Sequence, residues 1–180
     1  MANAVGKSGG GRGGLWRVAG WGIAGLLLLV PLIGNFPWTA SDYVIAAVLI
    51  GGTGLLFEWA IRKSGNLAYR AGIAAALGGA FLTIWANGAV GMIGSEDNPY
   101  NLLFGGVLLI ALAGSIVARL RPAGMVWAMG AAAVAQLAVA AGGMGADPRG
   151  AVFSMGFGGI WLVAASLFRV ADRREAFRGS

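Results

Sequence analysis

Residues Leu102-Leu103-Phe104-Gly105-Gly106-Val107-Leu108-Leu109-Ile110-Ala111-Leu112-Ala113-Gly114-Ser115-Ile116-Val117-Ala118 carry no charge, and Arg119-Leu120-Arg121-Pro122 follows them at once. An apolar run of about 17–25 residues is what a helix needs to cross ~30 Å of hydrocarbon. The two arginines mark where such a helix would meet water. Pro122 suits the first turn of the next helix, because the N–H it lacks has no helical partner there.

The same reading extends outward in both directions. Apolar runs also lie at Leu15 to Ile33, Asp42 to Ile61, Ala68 to Ile93, Pro122 to Gly142 and Ala151 to Phe168. The expected fold is therefore all-α: a polytopic membrane bundle of six transmembrane helices. Residues 1–14 read as a flexible, glycine-rich basic tail, 15–168 as the membrane domain, and 169–180 as a basic tail that can prolong the last helix. The first run exceeds a usual signal-peptide core and no small-x-small site follows it, so it is expected to stay as an anchor. The run Ala68 to Ile93 is the longest and is expected to tilt or to extend beyond the hydrocarbon.

Composition excludes most alternatives. The 180 residues are 58% apolar and 11% charged, with a mean hydropathy of +0.76. Soluble domains carry about 25% charged residues, so this chain could not cover a soluble surface. Cysteine and histidine are both absent, which removes thiol chemistry, the commonest metal ligand and the commonest acid–base catalyst. No zinc motif, phosphate-binding glycine loop or paired intramembrane aspartates are present, so neither enzyme activity nor a cofactor or metal is expected.

The net charge of +6 reflects membrane topology rather than nucleic-acid binding. Lys7, Arg12, Arg17, Arg62, Lys63, Arg70, Arg119, Arg121, Arg169, Arg173, Arg174 and Arg178 fall on one side of a six-span arrangement, and only Arg149 on the other. Basic residues collect on the cytoplasmic side, which places the N and C termini in the cytoplasm. Asp42, Glu96, Asp97 and Asp147 fall on the opposite side, while Trp16, Trp38 and Trp59 lie near the expected interfaces. The two halves show no repeat of the kind that marks inverted-repeat transporters.

Few residues interrupt the apolar runs. Glu58 is costly inside a span and is by default a candidate for a proton or ion path; Arg62, four residues on, and Arg70 are its candidate ion-pair partners. Asn87 is expected to bond across helices, with Gln136, Thr53 or Thr83 as partner. Glu58, Asn87 and Gln136 thus form either a polar path or a set of helix–helix contacts. Gly88, Gly91 and Gly94, spaced by three, suggest a smooth helix face, as do Gly51 with Gly54 and Gly20 with Gly22 and Gly25. In Ser95-Glu96-Asp97-Asn98-Pro99-Tyr100-Asn101, the residues Glu96, Asp97, Asn98 and Asn101 are candidates for outer-face recognition. Asp97 or Asn98 before Pro99 equally fits a helix cap. Thr39, Ser41 or Asp42 can cap the second span.

The stretch from Trp85-Ala86-Asn87 through Gly94-Ser95-Glu96-Asp97-Asn98-Pro99 to Asn101-Leu102, with Arg119-Leu120-Arg121-Pro122 after it, resembles small uncharacterised multi-spanning inner-membrane proteins of proteobacteria. The resemblance implies a bacterial inner-membrane location and brings no activity. Two roles follow for the residues. One is an accessory subunit that meets a protein partner, or further copies of itself, within the lipid bilayer. The other is a small transporter or channel with a path through Glu58, Asn87 and Gln136.

Overall fold

A computed structural model describes residues 11–179, and these form six α-helices, one short 3-10 turn and no strand. The helices are α1 (Gly11–Ile33), α2 (Ala40–Ile61), α3 (Leu67–Ala89), α4 (Leu102–Val117), α5 (Pro122–Gly142) and α6 (Pro148–Gly179). Helices α2, α3, α5 and α6, and α4 together with the 3-10 turn before it (Pro99–Val117), are long and apolar enough to cross a membrane, while the apolar part of α1, Arg17–Ile33, is shorter. Lys7 lies outside the described residues, as do the side chains of Arg12, Trp16 and Arg178.

Three boundaries differ from the sequence expectation. Helix α1 begins at Gly11, inside the expected tail. Helix α6 runs unbroken through the basic segment to Gly179, so its 32 residues extend about 48 Å at ~1.5 Å per residue. Helix α3 stops at Ala89, four residues before Ile93, because Val90 leaves helical geometry and Gly91 takes φ +73°. A left-handed glycine just past the last turn is a common way to end a helix. Gly91 and Gly94 therefore lie beyond α3, and the smooth helical face expected from Gly88, Gly91 and Gly94 does not form.

The chain divides into two compact units, residues 1–55 and 56–180. In the first, Thr39 and Asp42 close a reciprocal cap at the start of α2. The Thr39 N–H and hydroxyl donate to Asp42 Oδ2 at 2.7 and 2.8 Å, and the Asp42 N–H donates to Thr39 Oγ1 at 3.4 Å. This is the capping-box arrangement with an aspartate at the third position. A Cβ on Gly54 would sit 3.0 Å from the Trp21 ring, so the glycine admits that indole.

In the second unit α3 packs on α6, α6 on α5 and α5 on α4, while α3 and α4 barely touch. Its interior is built from small residues: Ala76, Ala111, Ala128, Ala132, Ala133 and Ala164 are buried, along with Gly72, Gly79 and Gly158. Its outer surface carries Leu109, Leu112, Ile116, Trp127, Val134, Leu162 and Val163. Water would penalise such a surface, whereas lipid tails are as apolar as leucine. The architecture is that of a multi-pass helical membrane protein whose apolar face contacts a bilayer.

Close backbone approach replaces bulk in the core. A Cβ at Gly72 would meet Phe168 at 3.1 Å, and one at Gly158 would meet Leu137 at 2.8 Å. Tyr69 meets Phe168 edge-on, with ring centroids 5.6 Å apart. One end of the unit is tied by the Tyr69 hydroxyl, which donates to Leu120 O at 3.0 Å, and by Asn66 Nδ2, which donates to Ala171 O at 3.1 Å. These two bonds gather the Arg62–Asn66 turn, the Arg119–Pro122 turn and the basic part of α6 at a single end. Arg119 and Leu120 there adopt φ +49° and +57°. Left-handed geometry costs non-glycine residues about 1–2 kcal/mol each, which the surrounding bonds must offset.

Gly114 gives the sharpest test of this packing. A Cβ added there would lie 2.7 Å from Ala128 Cβ, whereas one at Gly130 meets nothing within 4 Å. Gly114→Ala is expected to destabilise by about 1–3 kcal/mol through overpacking. Gly130→Ala is expected to be neutral or stabilising by up to about 1 kcal/mol. Thermal unfolding in detergent separates the two, and equal effects would contradict the packing described.

Candidate functional site

The segment between α3 and α4 is the most elaborate part of the second unit. Its Met92 and Ile93 are each 1% exposed although their backbone is not helical. Buried backbone N–H and C=O groups outside a helix need other partners, and one side chain supplies most of them. Asn101 Oδ1 accepts from Met92 N at 3.2 Å and Ile93 N at 2.9 Å, while its Nδ2 donates to Ile93 O at 3.3 Å and Ser95 O at 2.8 Å.

Asn98 completes the turn. It is the N-cap of the 3-10 turn Pro99–Asn101, with Pro99 at the first position, and its Oδ1 accepts from Tyr100 N at 3.0 Å. Its Nδ2 donates to Ile93 O at 2.9 Å. Of the two capping residues considered from sequence, Asn98 takes the role.

Three further bonds anchor the loop to α5 and α6. The Tyr100 hydroxyl donates to Val139 O at 2.8 Å, the Ser154 hydroxyl donates to Met92 O at 3.2 Å, and the Gly94 N–H donates to Asp147 Oδ2 at 2.9 Å. Asp147 also caps α6, its Oδ1 accepting from Gly150 N at 3.0 Å. These backbone bonds, from Gly150 first and Gly94 second, with Arg149 contributing as well, hold the Asp147 carboxyl below the ordinary value of 3.8.

The candidate residues separate into distinct environments. Asn101 is 7% exposed with its amide engaged on both sides, so its side chain acts as a structural clamp. Glu96 and Asp97 are exposed. They border a cavity of about 520 Å³ together with Asn87, Asn98 and Asn101. Asn87 Nδ2 reaches Asn101 O at 3.4 Å, so its bond is to the loop and not to Gln136 or Thr83.

Gln136 is fully buried, and its Nε2 donates to Ser154 O at 3.1 Å. Glu58 is 17% exposed and pairs with Arg62 at 3.5 Å, while Arg70 Nε donates to Ser64 O at 3.0 Å. The structure therefore joins Asn87 to the acidic loop directly, Gln136 to it through Ser154, and Glu58 to Arg62 elsewhere. Among the described residues, Asn87 Oδ1, Gln136 Oε1 and Trp161 Nε1 are buried without a partner.

Sequence reasoning passed over Asp147 and Ser154 as contributors. Asp147 directly before Pro148 has the form of a helix cap, a local signal that was available. Ser154 has none, since its partner is 62 residues away. Among the described residues, no group of three or more His, Cys, Asp or Glu side chains could hold a metal ion. Comparison with protein families, curated proteins and solved structures finds no match to this chain.

Removing the clamp exposes its importance. Asn101→Leu leaves Met92 N, Ile93 N and the Ser95 carbonyl without their partner, and an unsatisfied buried group costs about 1–3 kcal/mol. A loss of about 3 kcal/mol or more is expected in denaturant titration. A variant as stable as the parent would show that the loop is held by something else.

Asp147 adds a dependence on pH. Because its folded pKa is depressed, its contribution is fully present above the unfolded value of about 3.9 and is lost as pH falls through the lower folded value. Stability attributable to Asp147 should hold from pH 7 to 5 and decline below pH 4. Asp147→Asn should flatten that acid limb relative to the parent, as read by melting temperature against pH.

Proposed function

We propose that this chain is an integral membrane accessory protein, acting by helix–helix contact within the bilayer and not by catalysis or transport. The observation that carries this reading is that Glu58, Asn87 and Gln136 each bond to a different neighbour and not to one another. Glu58 is drawn to Arg62, Asn87 to the Asn101 backbone and Gln136 to the Ser154 carbonyl. A transport path needs polar groups facing a shared wet passage, and side chains that each give a bond to a different neighbour are better suited to holding helices together. The small-residue interior and the scarcity of reactive side chains favour the same role.

The finer topology belongs to this proposal. All six helices span, α1 among them, with both termini in the cytoplasm and the acidic loop on the far side. The charge distribution supports this orientation: Arg62, Lys63, Arg119, Arg121, Arg169, Arg173 and Arg174 stand at one end, opposite Glu96, Asp97 and Asp147, with Arg149 the one basic residue on the acidic side. A bacterial inner membrane is the setting that the resemblance at Trp85–Leu102 suggests.

Two measurements test the role together. Pull-down from native membranes in a mild detergent should recover a protein partner in fixed stoichiometry, or a defined homo-oligomer. Repeated recovery of a lone monomer would count against the proposal. Glu58→Gln should change stability by less than about 1 kcal/mol, as expected for a partly exposed ion pair. It should also leave proton and ion flux in proteoliposomes unaltered. A parent flux abolished by Glu58→Gln would instead establish the transporter reading.

A further inference from the structure

The weak contact between α3, which packs on α6, and α4, which packs on α5, leaves a cleft in the second unit that the end of α2 (Leu56, Trp59 and Ala60) also borders. Its basic-end portion is a cavity of about 580 Å³, within the range of about 300–1,000 Å³ that holds small ligands. Leu77 of α3 and Ala111 and Leu112 of α4 form its walls, and Met129 and Trp161 also line it. Ile84 and Leu108 border both this cavity and the one beside the acidic loop.

Two cations line the same apolar cavity, Lys63 from the α2–α3 turn and Arg119 from the α4–α5 turn. Both are exposed, and Lys63 Nζ stands 4.5 Å from the centroid of the exposed Trp59 ring. Arg119 and its neighbour Leu120 hold left-handed backbone, although neither is glycine. Tyr69 fixes that turn by its bond to Leu120 O, and Leu120 packs against the core. The fold thus maintains a strained turn at the point where Arg119 meets the groove. Strain kept by its surroundings is a pointer to function.

We propose that this groove binds an anionic phospholipid, with one acyl chain between α3 and α4 and the phosphate between Lys63 and Arg119. The apolar walls match an alkyl chain, and the surrounding bilayer supplies such chains. Two cations at one end match the charge of a headgroup phosphate, and basic residues beside the hydrocarbon attract anionic lipid. Charge complementarity therefore separates this occupant from the others. A helix from a second copy would fill the groove without using the cations, and a free phosphate would use the cations without the groove.

The full chain, purified in a mild detergent, is titrated with phosphatidylglycerol and with phosphatidylcholine of identical acyl chains, and binding is read by native mass spectrometry. One phosphatidylglycerol is expected to bind at least about tenfold more tightly than phosphatidylcholine. Lys63→Gln with Arg119→Gln should bring that ratio to about one, with helicity by circular dichroism unchanged. Leu112→Trp, at a half-exposed wall position, should weaken phosphatidylglycerol severalfold by occupying the groove. Glycerol phosphate in excess should displace nothing.

Equal affinity for the two lipids would overturn the proposal, as would a preference that survives the double substitution. Displacement by glycerol phosphate would reduce the site to a phosphate contact without an acyl-chain groove. Phosphatidylglycerol affinity unaffected by Leu112→Trp would place the lipid elsewhere on the surface. A dimer that dissociates with Leu112→Trp, with no lipid retained by the parent, would assign the groove to a second copy.

Discussion

The fold rests on how a non-helical stretch of backbone is satisfied where it is buried. Within a bilayer only helices and closed barrels meet all their own hydrogen-bonding needs, and irregular backbone survives only inside protein. Met92 and Ile93 break helical geometry while almost fully buried. The Asn101 amide answers this by accepting from two N–H groups and donating to two carbonyls. The bonds spread from there: Met92 O takes the Ser154 hydroxyl, and Ser154 O takes the Gln136 amide. One short polar chain thus links the α3–α4 loop to α6 and α5. Gly91 and Gly94, both at φ +73°, let the backbone turn tightly enough to present these groups.

That docking has a geometric consequence for the helices. The loop is anchored to α5 and α6 through Tyr100, Ser154 and Asp147, so α3 and α4 are each drawn toward those two helices and not toward each other. Small residues let α3 approach α6 and α4 approach α5 closely. Gly72 and Gly79 receive Phe168 and Ile160, and Gly114 receives Ala128. The cleft between α3 and α4 is what remains. It is a result of the same contacts that stabilise the unit.

Much of this was legible in the sequence, and the reason lies in which properties are local. Apolar run length, basic turns and the Glu58–Arg62 spacing depend on residues near one another, and five helices long enough to span, the two basic turns and the Glu58–Arg62 pair appear in the structure. The Asn98-Pro99 cap was readable for the same reason. An amide in a polar loop, such as Asn101, looks solvated from sequence alone; its inward bonds depend on Met92 and Ile93 folding back onto it. Spacing misled at Gly88, Gly91 and Gly94, where a period of three suggested a helix face. Glycine just past a helix end is equally a stop signal, and the polar run after Gly94 favoured that reading. The link between Asp147 and Gly94 spans 53 residues and leaves no local pattern.

The distribution of polar groups also constrains what kind of protein this can be. A buried amide in hydrocarbon gains on the order of 0.6 kcal/mol from a bond across helices, too little for one contact to hold a bundle. Here the amides act together on one junction, and Asn101, Asn98, Gln136 and Asn87 all spend bonds at or near the same loop. Such concentration fixes the end of the bundle that carries Glu96 and Asp97, while the opposite end depends on Tyr69 and Asn66. The middle, held mainly by alanine and glycine contacts, has no comparable polar network. Within the second unit, two polar-tied ends are thus joined by an apolar middle. Chemical features are therefore concentrated at the ends of that unit, where its charged and amide side chains lie.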